Sequence, residues 1–164
     1  MFFLFILFLI AVRLIELLVS NRNEKWLRAN GAIEFGRKHY PIMVMLHSSF
    51  ILSLIFEYLL RGGTLNYFFL FFFLLLIASK VYIVSSLGKY WNTKIFRIPN
   101  SPAIKSGMYK YIKHPNYVIV IAEIAVIPLI FNLYYTALIF SILNAMMLTV
   151  RIREENKVWN DNTE

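Results

Sequence analysis

Five long apolar runs dominate this sequence, at 1–19, 41–60, 65–87, 116–131 and 134–152. A helix that crosses a bilayer needs about 20 mostly apolar residues, because the hydrocarbon core is about 30 Å thick and offers its backbone no water. Five such runs use most of the 164 residues and leave no room for a large soluble domain. The composition agrees: only 16% of residues are charged, against about 25% in a typical soluble domain. The expected fold is all-α, a single polytopic membrane domain over 1–164 with five transmembrane helices. The first run has no basic segment before it and no small-residue cleavage site after it, so it reads as a retained span.

Basic residues then set an expected topology. Segments 20–40, 89–115 and the tail from Arg151 onward carry fourteen Lys and Arg, whereas the turns near 61–64 and 132 carry one, Arg61. Basic residues collect on the cytoplasmic side of a membrane. The chain is therefore expected in the cell membrane as a multi-pass protein, N-terminus outside, with both long loops and the C-terminus in the cytoplasm. The same bias accounts for the net charge of +8 without nucleic acid. With no cysteine and only three scattered histidines, His39, His47 and His114, no metal site is expected.

The long loops and the tail also contain groups that membrane anchoring does not need. Lys113 and His114 stand just before a helix start, where anions are favoured. Glu154 and Glu155 are adjacent, so on a helix they point about 100° apart and serve different partners. Trp91, Tyr109, Tyr111 and Tyr117 offer flat faces for a base or a cation. Such a set suits S-adenosylmethionine, which has a carboxylate, ribose hydroxyls, an adenine and a sulfonium; a plain basic loop would also contain some of these groups. Inside the runs, Asn144 and Arg151 share a helix face. With Glu123 they either line an acceptor cavity or clamp helices together. Arg13 and Glu16 are spaced to pair. Lys80 is expected to snorkel toward the cytoplasm, and Glu57 to reach water at the outer end of its span. His39 and His47 read as interfacial hydrogen-bonding groups, with a place for His47 in an acceptor pocket left open. Phe68–Phe73 reads as lipid-facing or packing surface, and Trp26 and Trp159 as interfacial anchors.

The run Gly107-Met-Tyr-Lys-Tyr-Ile-Lys-His-Pro-Asn-Tyr117 resembles the Gly-x-Tyr-x-x-Arg-His-Pro-x-Tyr signature of the isoprenylcysteine carboxyl methyltransferase family. Arg151-Ile-Arg-Glu-Glu155 is similar to the Arg-x-x-x-Glu-Glu that follows one hairpin later, and Leu87-Gly-Lys-Tyr-Trp91 to an upstream Leu-Gly-x-x-Trp. The likeness covers about 80–159. It implies a membrane enzyme whose site is formed by the last three helices and faces the cytoplasm. Its cofactor would be S-adenosylmethionine, held by His114, Tyr117, Glu154 and Glu155, with Lys113, Tyr109 and Trp91 beside them. Lys113 stands where the family has Arg, which keeps the charge and loses a bidentate fork. Isoprenylcysteine enzymes continue past the Glu-Glu pair, whereas this sequence ends at Glu164. The first half, with Asn23-Glu-Lys-Trp26 and Glu34-Phe-Gly-Arg-Lys-His-Tyr-Pro41, looks like a bacterial subgroup associated with type III polyketide synthases. That resemblance implies O-methylation of an alkylpyrone or alkylresorcinol ahead of an isoprenylcysteine-like lipid. Arg151 is then expected to stabilise the acceptor anion and Glu154 or Glu155 to act as base. Glu123, Asn144 and His47 are expected in the acceptor site. Membrane lipids are the other expected partners, and the oligomeric state stays open. A phospholipid amine N-methyltransferase and a non-catalytic lipid-binding or assembly protein are the rival readings.

Overall fold

A computed structural model describes residues 1–99, 101 and 106–160, with side chains through 157; Lys105 and the side chain of Trp159 lie outside the described residues. The helices are α1 (Phe2–Ala29), α2 (Tyr40–Arg61), α3 (Tyr67–Leu87), α4 (Pro115–Leu129) and α5 (Tyr134–Asn160). Two three-residue strands, β1 (Ile33–Phe35) and β2 (Ile95–Arg97), pair antiparallel in the register Ile33↔Arg97, Glu34↔Phe96, Phe35↔Ile95. The strand pair ties the two long loops together. Helices α1, α2, α3 and α5 are long and apolar enough to cross a membrane, which makes this a multi-pass membrane protein. Helix α4 has 15 residues, about 22 Å at 1.5 Å per residue, and packs against both α3 and α5.

Each connection explains an element boundary. Pro41 sits in the first turn of α2, where a missing N–H costs nothing. Asn66 caps α3, its side chain accepting from Phe68 N and Phe69 N. Asn132 adopts φ 57°, the left-handed conformation that Asn tolerates, and ends the α4 region. Its amide donates to Thr64 O and Thr64 Oγ1 at 3.1 and 3.0 Å, so the two short turns lock onto each other.

Glu57 does not reach water: it is buried and caps the start of α5, accepting from Tyr135 N at 3.1 Å and Thr136 N at 2.7 Å. The first turn of α5 would otherwise have buried N–H groups with no acceptor. Glu57→Ala should therefore lower stability by about 1–3 kcal/mol, read as a fall in thermal midpoint in detergent.

The apolar core lies toward the short-turn end. Phe2, Leu54, Phe73, Ile124, Ile130 and Leu133 are buried there, and Phe2 stacks on Tyr58 with ring centroids 3.7 Å apart. Outward faces remain apolar, as lipid contact requires: Phe68 and Phe71 are more than half exposed while Phe73 packs inward.

Two expectations about the long-loop end change. Helix α1 continues ten residues beyond the first apolar run, to Ala29, whereas α5 continues to Asn160 as a helix carrying Glu154 and Glu155 should. The polar continuation of α1 is part of the protein interior, with Ser20 and Asn23 buried. Lys80 does not snorkel. Its ammonium lies 2.5 Å from Glu123 Oε2 and 2.8 Å from Glu16 Oε1, and Arg13 joins the same carboxylates at 3.3 and 2.7 Å. Two cations and two anions thus form a balanced cluster across α1, α3 and α4. Inside a membrane, carboxylates within reach hold a lysine more cheaply than a climb to the interface.

Candidate functional site

The site is organised by the polar end of α1. Ser20 Oγ lies 2.9 Å from Asn92 Oδ1 and 2.8 Å from Thr93 Oγ1, and it accepts from Thr93 N. Asn92 donates back to Ser20 O at 2.9 Å. Asn23 donates to Gly88 O at 3.0 Å and to Trp91 O at 2.7 Å. These bonds fix segment 88–94 against α1 and set the indole of Trp91 into the interior, where it is 4% exposed. Ser20 and Asn23 were not among the expected site residues. Their i, i+3 spacing at the end of an apolar run was the available signal.

A second string of bonds runs from α5 to α4. Arg151 Nε donates to the Tyr117 hydroxyl at 2.9 Å, and that hydroxyl donates to Glu155 Oε2 at 2.7 Å. His114, the N-cap of α4, stacks on Tyr117 at 5.2 Å with its Nδ1 3.4 Å from Glu155 Oε2. Arg151 also contacts Met43 Sδ through Nη1 and donates from Nη2 to Thr93 O. One guanidinium therefore joins α2, the 88–94 segment and α4. Arg151 uses three of its five N–H groups on neutral protein atoms, which leaves its charge and two donors at the wall where an acceptor anion is expected.

Two cavities flank this string. The outer one, about 600 Å³, opens among the long loops and is lined by Trp91, Tyr109, Lys113, His114, Tyr117 and Glu155, with Arg151 at its inner side. Lys94, Arg97 and Lys110 make its rim basic. The inner one, about 180 Å³, lies among the helices and is lined by His47, Ser48, Asn144, Val44, Ile51 and Val120, among others. Trp91, Asn116, Tyr117 and Arg151 line both. They form a shared wall.

Two buried side-chain nitrogens of residues on the outer cavity have no partner: Trp91 Nε1 and His114 Nε2. Buried polar atoms of this kind are rare in a finished interior and point to a bound group. Burial pushes the Tyr109 phenol up to about 12, with Glu155 adding to the rise, so it stays a neutral donor at physiological pH. Lys113 reaches out to Asn156 Oδ1 at 2.7 Å.

Two expected site residues fall elsewhere. Glu154 lines neither large cavity; it faces Gly36 and His39 across a space of about 20 Å³ and pairs with Lys157 at 2.9 Å. The 100° step between neighbours sends Glu155 to the site and Glu154 away from it. Glu123 does not line the inner cavity, since Lys80 stands between them, so the helix-clamp alternative describes it. Asn144 and His47 do line that cavity.

Comparison with known proteins agrees with the architecture. Residues 69–161 match the model of the isoprenylcysteine carboxyl methyltransferase (ICMT) family. The chain is 44% identical over 160 residues to the uncharacterized protein YpbQ of Bacillus subtilis (strain 168), covering 96% of this chain and 95% of that one. It is 31% identical over 151 residues to an uncharacterized protein of Haemophilus influenzae, covering 90% and 88%. No solved structure matches. With His114, Tyr117, Arg151 and Glu155 of its motifs gathered on one polar cavity, the chain belongs to the isoprenylcysteine carboxyl methyltransferase family.

Proposed function

We propose that this single membrane domain moves a methyl group from S-adenosylmethionine to an oxygen of a lipophilic acceptor. A hydroxylated alkylpyrone or alkylresorcinol ranks ahead of an isoprenylcysteine-like lipid. The observation that carries the reading is the pair of cavities with one shared wall. A polar, basic cavity with partnerless nitrogens suits a water-soluble cofactor, and an apolar cavity among helices suits a lipid. The cofactor supplies an activated methyl on sulfur. Trp91 would give it a free N–H, His114 would offer its unpartnered Nε2, Glu155 would accept from hydroxyls, Tyr109 and Tyr117 would cover a flat ring, and Lys113 would face a carboxylate. The shared wall of Trp91, Asn116, Tyr117 and Arg151 aligns donor and acceptor and keeps water from the transfer point, which is most of what an in-line displacement needs.

Calorimetry on the detergent-purified chain tests this reading. S-adenosylmethionine should bind, and His114→Ala should lose about tenfold or more in affinity, as removal of a buried hydrogen-bonding nitrogen and its stacked ring implies. A folded chain that binds no cofactor would favour the non-catalytic rival. A bound cofactor with amine lipids as the preferred acceptors would favour the N-methyltransferase.

The same reading places both cavities toward the cytoplasm, with five crossings and the N-terminus outside. The sequence has no cysteine, so single-cysteine labelling is clean. In intact cells an impermeant maleimide should label Thr64→Cys and spare Lys38→Cys; both positions are exposed. The reverse pattern would invert the topology.

A further inference from the structure

We propose that His47 is the proton acceptor in the methyl transfer. This rests on the methyltransferase reading above. His47 Nδ1 lies 2.8 Å from Met43 O. A carbonyl only accepts, so Nδ1 carries the hydrogen and the neutral ring presents Nε2 as a lone pair. The ring lines the inner cavity. Met43, four residues earlier on α2, contacts Arg151 of the shared wall. His47 therefore stands about 6 Å farther along the helix axis than that contact, at 1.5 Å per residue.

No other described group on this cavity is as free to take a proton. Glu16, on α1, is held by both Arg13 and Lys80. Tyr117, on α4, already donates to Glu155, and Tyr40, on α2, lies 3.3 Å from Thr93 Oγ1. Arg13 and Lys80 are neutralised by Glu16 and Glu123, and Arg151 bonds to neutral atoms of Tyr117, Met43 and Thr93. A neutral hydroxyl, unlike a carboxylate, must lose its proton before it can take a methyl group, and so needs a base.

The step balances as follows. The acceptor O–H bond breaks and its proton goes to Nε2. The oxygen electron pair forms the new O–CH3 bond as the S–CH3 bond breaks, and that pair stays on sulfur as a neutral thioether. The imidazolium returns its proton to water after product leaves.

The test uses two probes with S-adenosylmethionine: a long-chain alkylphenol and its ring-dinitrated counterpart, which is ionised at neutral pH. His47→Asn keeps an amide donor near Met43 O and removes the base. At neutral pH its turnover of the alkylphenol should fall by about 10²–10⁴-fold. Its turnover of the nitrated probe should change far less, and cofactor affinity should be unchanged. Raising the pH should restore the alkylphenol rate in the variant. His47→Gln is measured alongside, and the comparison is taken from whichever variant keeps the cofactor affinity of the unaltered chain. Equal losses on both phenols, no loss on either, or loss of cofactor affinity in both variants would overturn the proposal. An unaltered chain that methylates only carboxylate lipids would overturn it while leaving the methyltransferase reading intact. An unaltered chain that binds no S-adenosylmethionine would overturn both.

Discussion

Glu155→Ala should weaken S-adenosylmethionine binding by about 10–100-fold, the loss expected when a charged hydrogen-bond partner worth about 1.5–3 kcal/mol is removed. Glu155 accepts from the Tyr117 hydroxyl and faces His114 on the outer cavity. Its loss would release both rings from their stacked arrangement and leave the cavity with basic side chains alone. Glu154→Ala should leave affinity unchanged, because that carboxylate faces Gly36 and His39 and pairs with an exposed lysine. Tyr117→Phe offers a finer version: it keeps the stacking ring and deletes the hydroxyl between Arg151 and Glu155. Calorimetry on the three variants reads the prediction directly. Equal losses at Glu154 and Glu155 would mean that the tail of α5 turns differently in the loaded protein.

The adjacent carboxylates show how far sequence reasoning reached. A helical step of 100° said that Glu154 and Glu155 serve different partners, but not which one the site takes. That choice depends on where α5 rests against β1 and α4, contacts set by residues far away in sequence. The same holds for Glu57, whose partners lie 78 and 79 residues later, and for Lys80, whose partners sit on α1 and α4. The apolar runs were legible because lipid imposes one demand on every outward face. The residues proposed to hold the cofactor were noticed because a local motif carries them on one turn before α4 and one turn of α5. The continuation of α1 was hidden, since its polar residues read as loop until Asn92, Thr93 and Trp91 supply their partners.

Building the site on α1 and the strand pair has a consequence for rigidity. Trp91 and Thr93 belong to a connection, and connections are usually the mobile parts of a fold. Here the connection is pinned from two sides, by Ser20 and Asn23 of α1 and by Arg151 of α5. Lys94 adds a 2.8 Å ion pair to Glu24. A loop held this way can position a donor for transfer chemistry as a helix would.

Glu123→Leu should lower stability by about 3–5 kcal/mol, the usual result of leaving a buried cation without its partner. Glu123 is 1% exposed and holds Lys80 at 2.5 Å and Arg13 at 3.3 Å. Without it two cations share Glu16 alone inside the bundle. Combining Glu123→Leu with Lys80→Met restores charge balance and leaves the Arg13–Glu16 pair, so the double variant should recover most of the loss. Thermal unfolding of the four proteins in one detergent gives the coupling between the two sites. Strictly additive losses would show that the cluster is not a unit. The cluster underlies the inner cavity, whose lining includes Arg13, Glu16 and Lys80. The single variant should therefore lose acceptor turnover at temperatures where it is still folded, while cofactor binding in the outer cavity persists. The double variant should regain acceptor turnover together with stability. A single variant that lost cofactor affinity first would instead place the weak point of the fold at the long-loop end, against the arrangement in which α1 carries the shared wall on a rigid base.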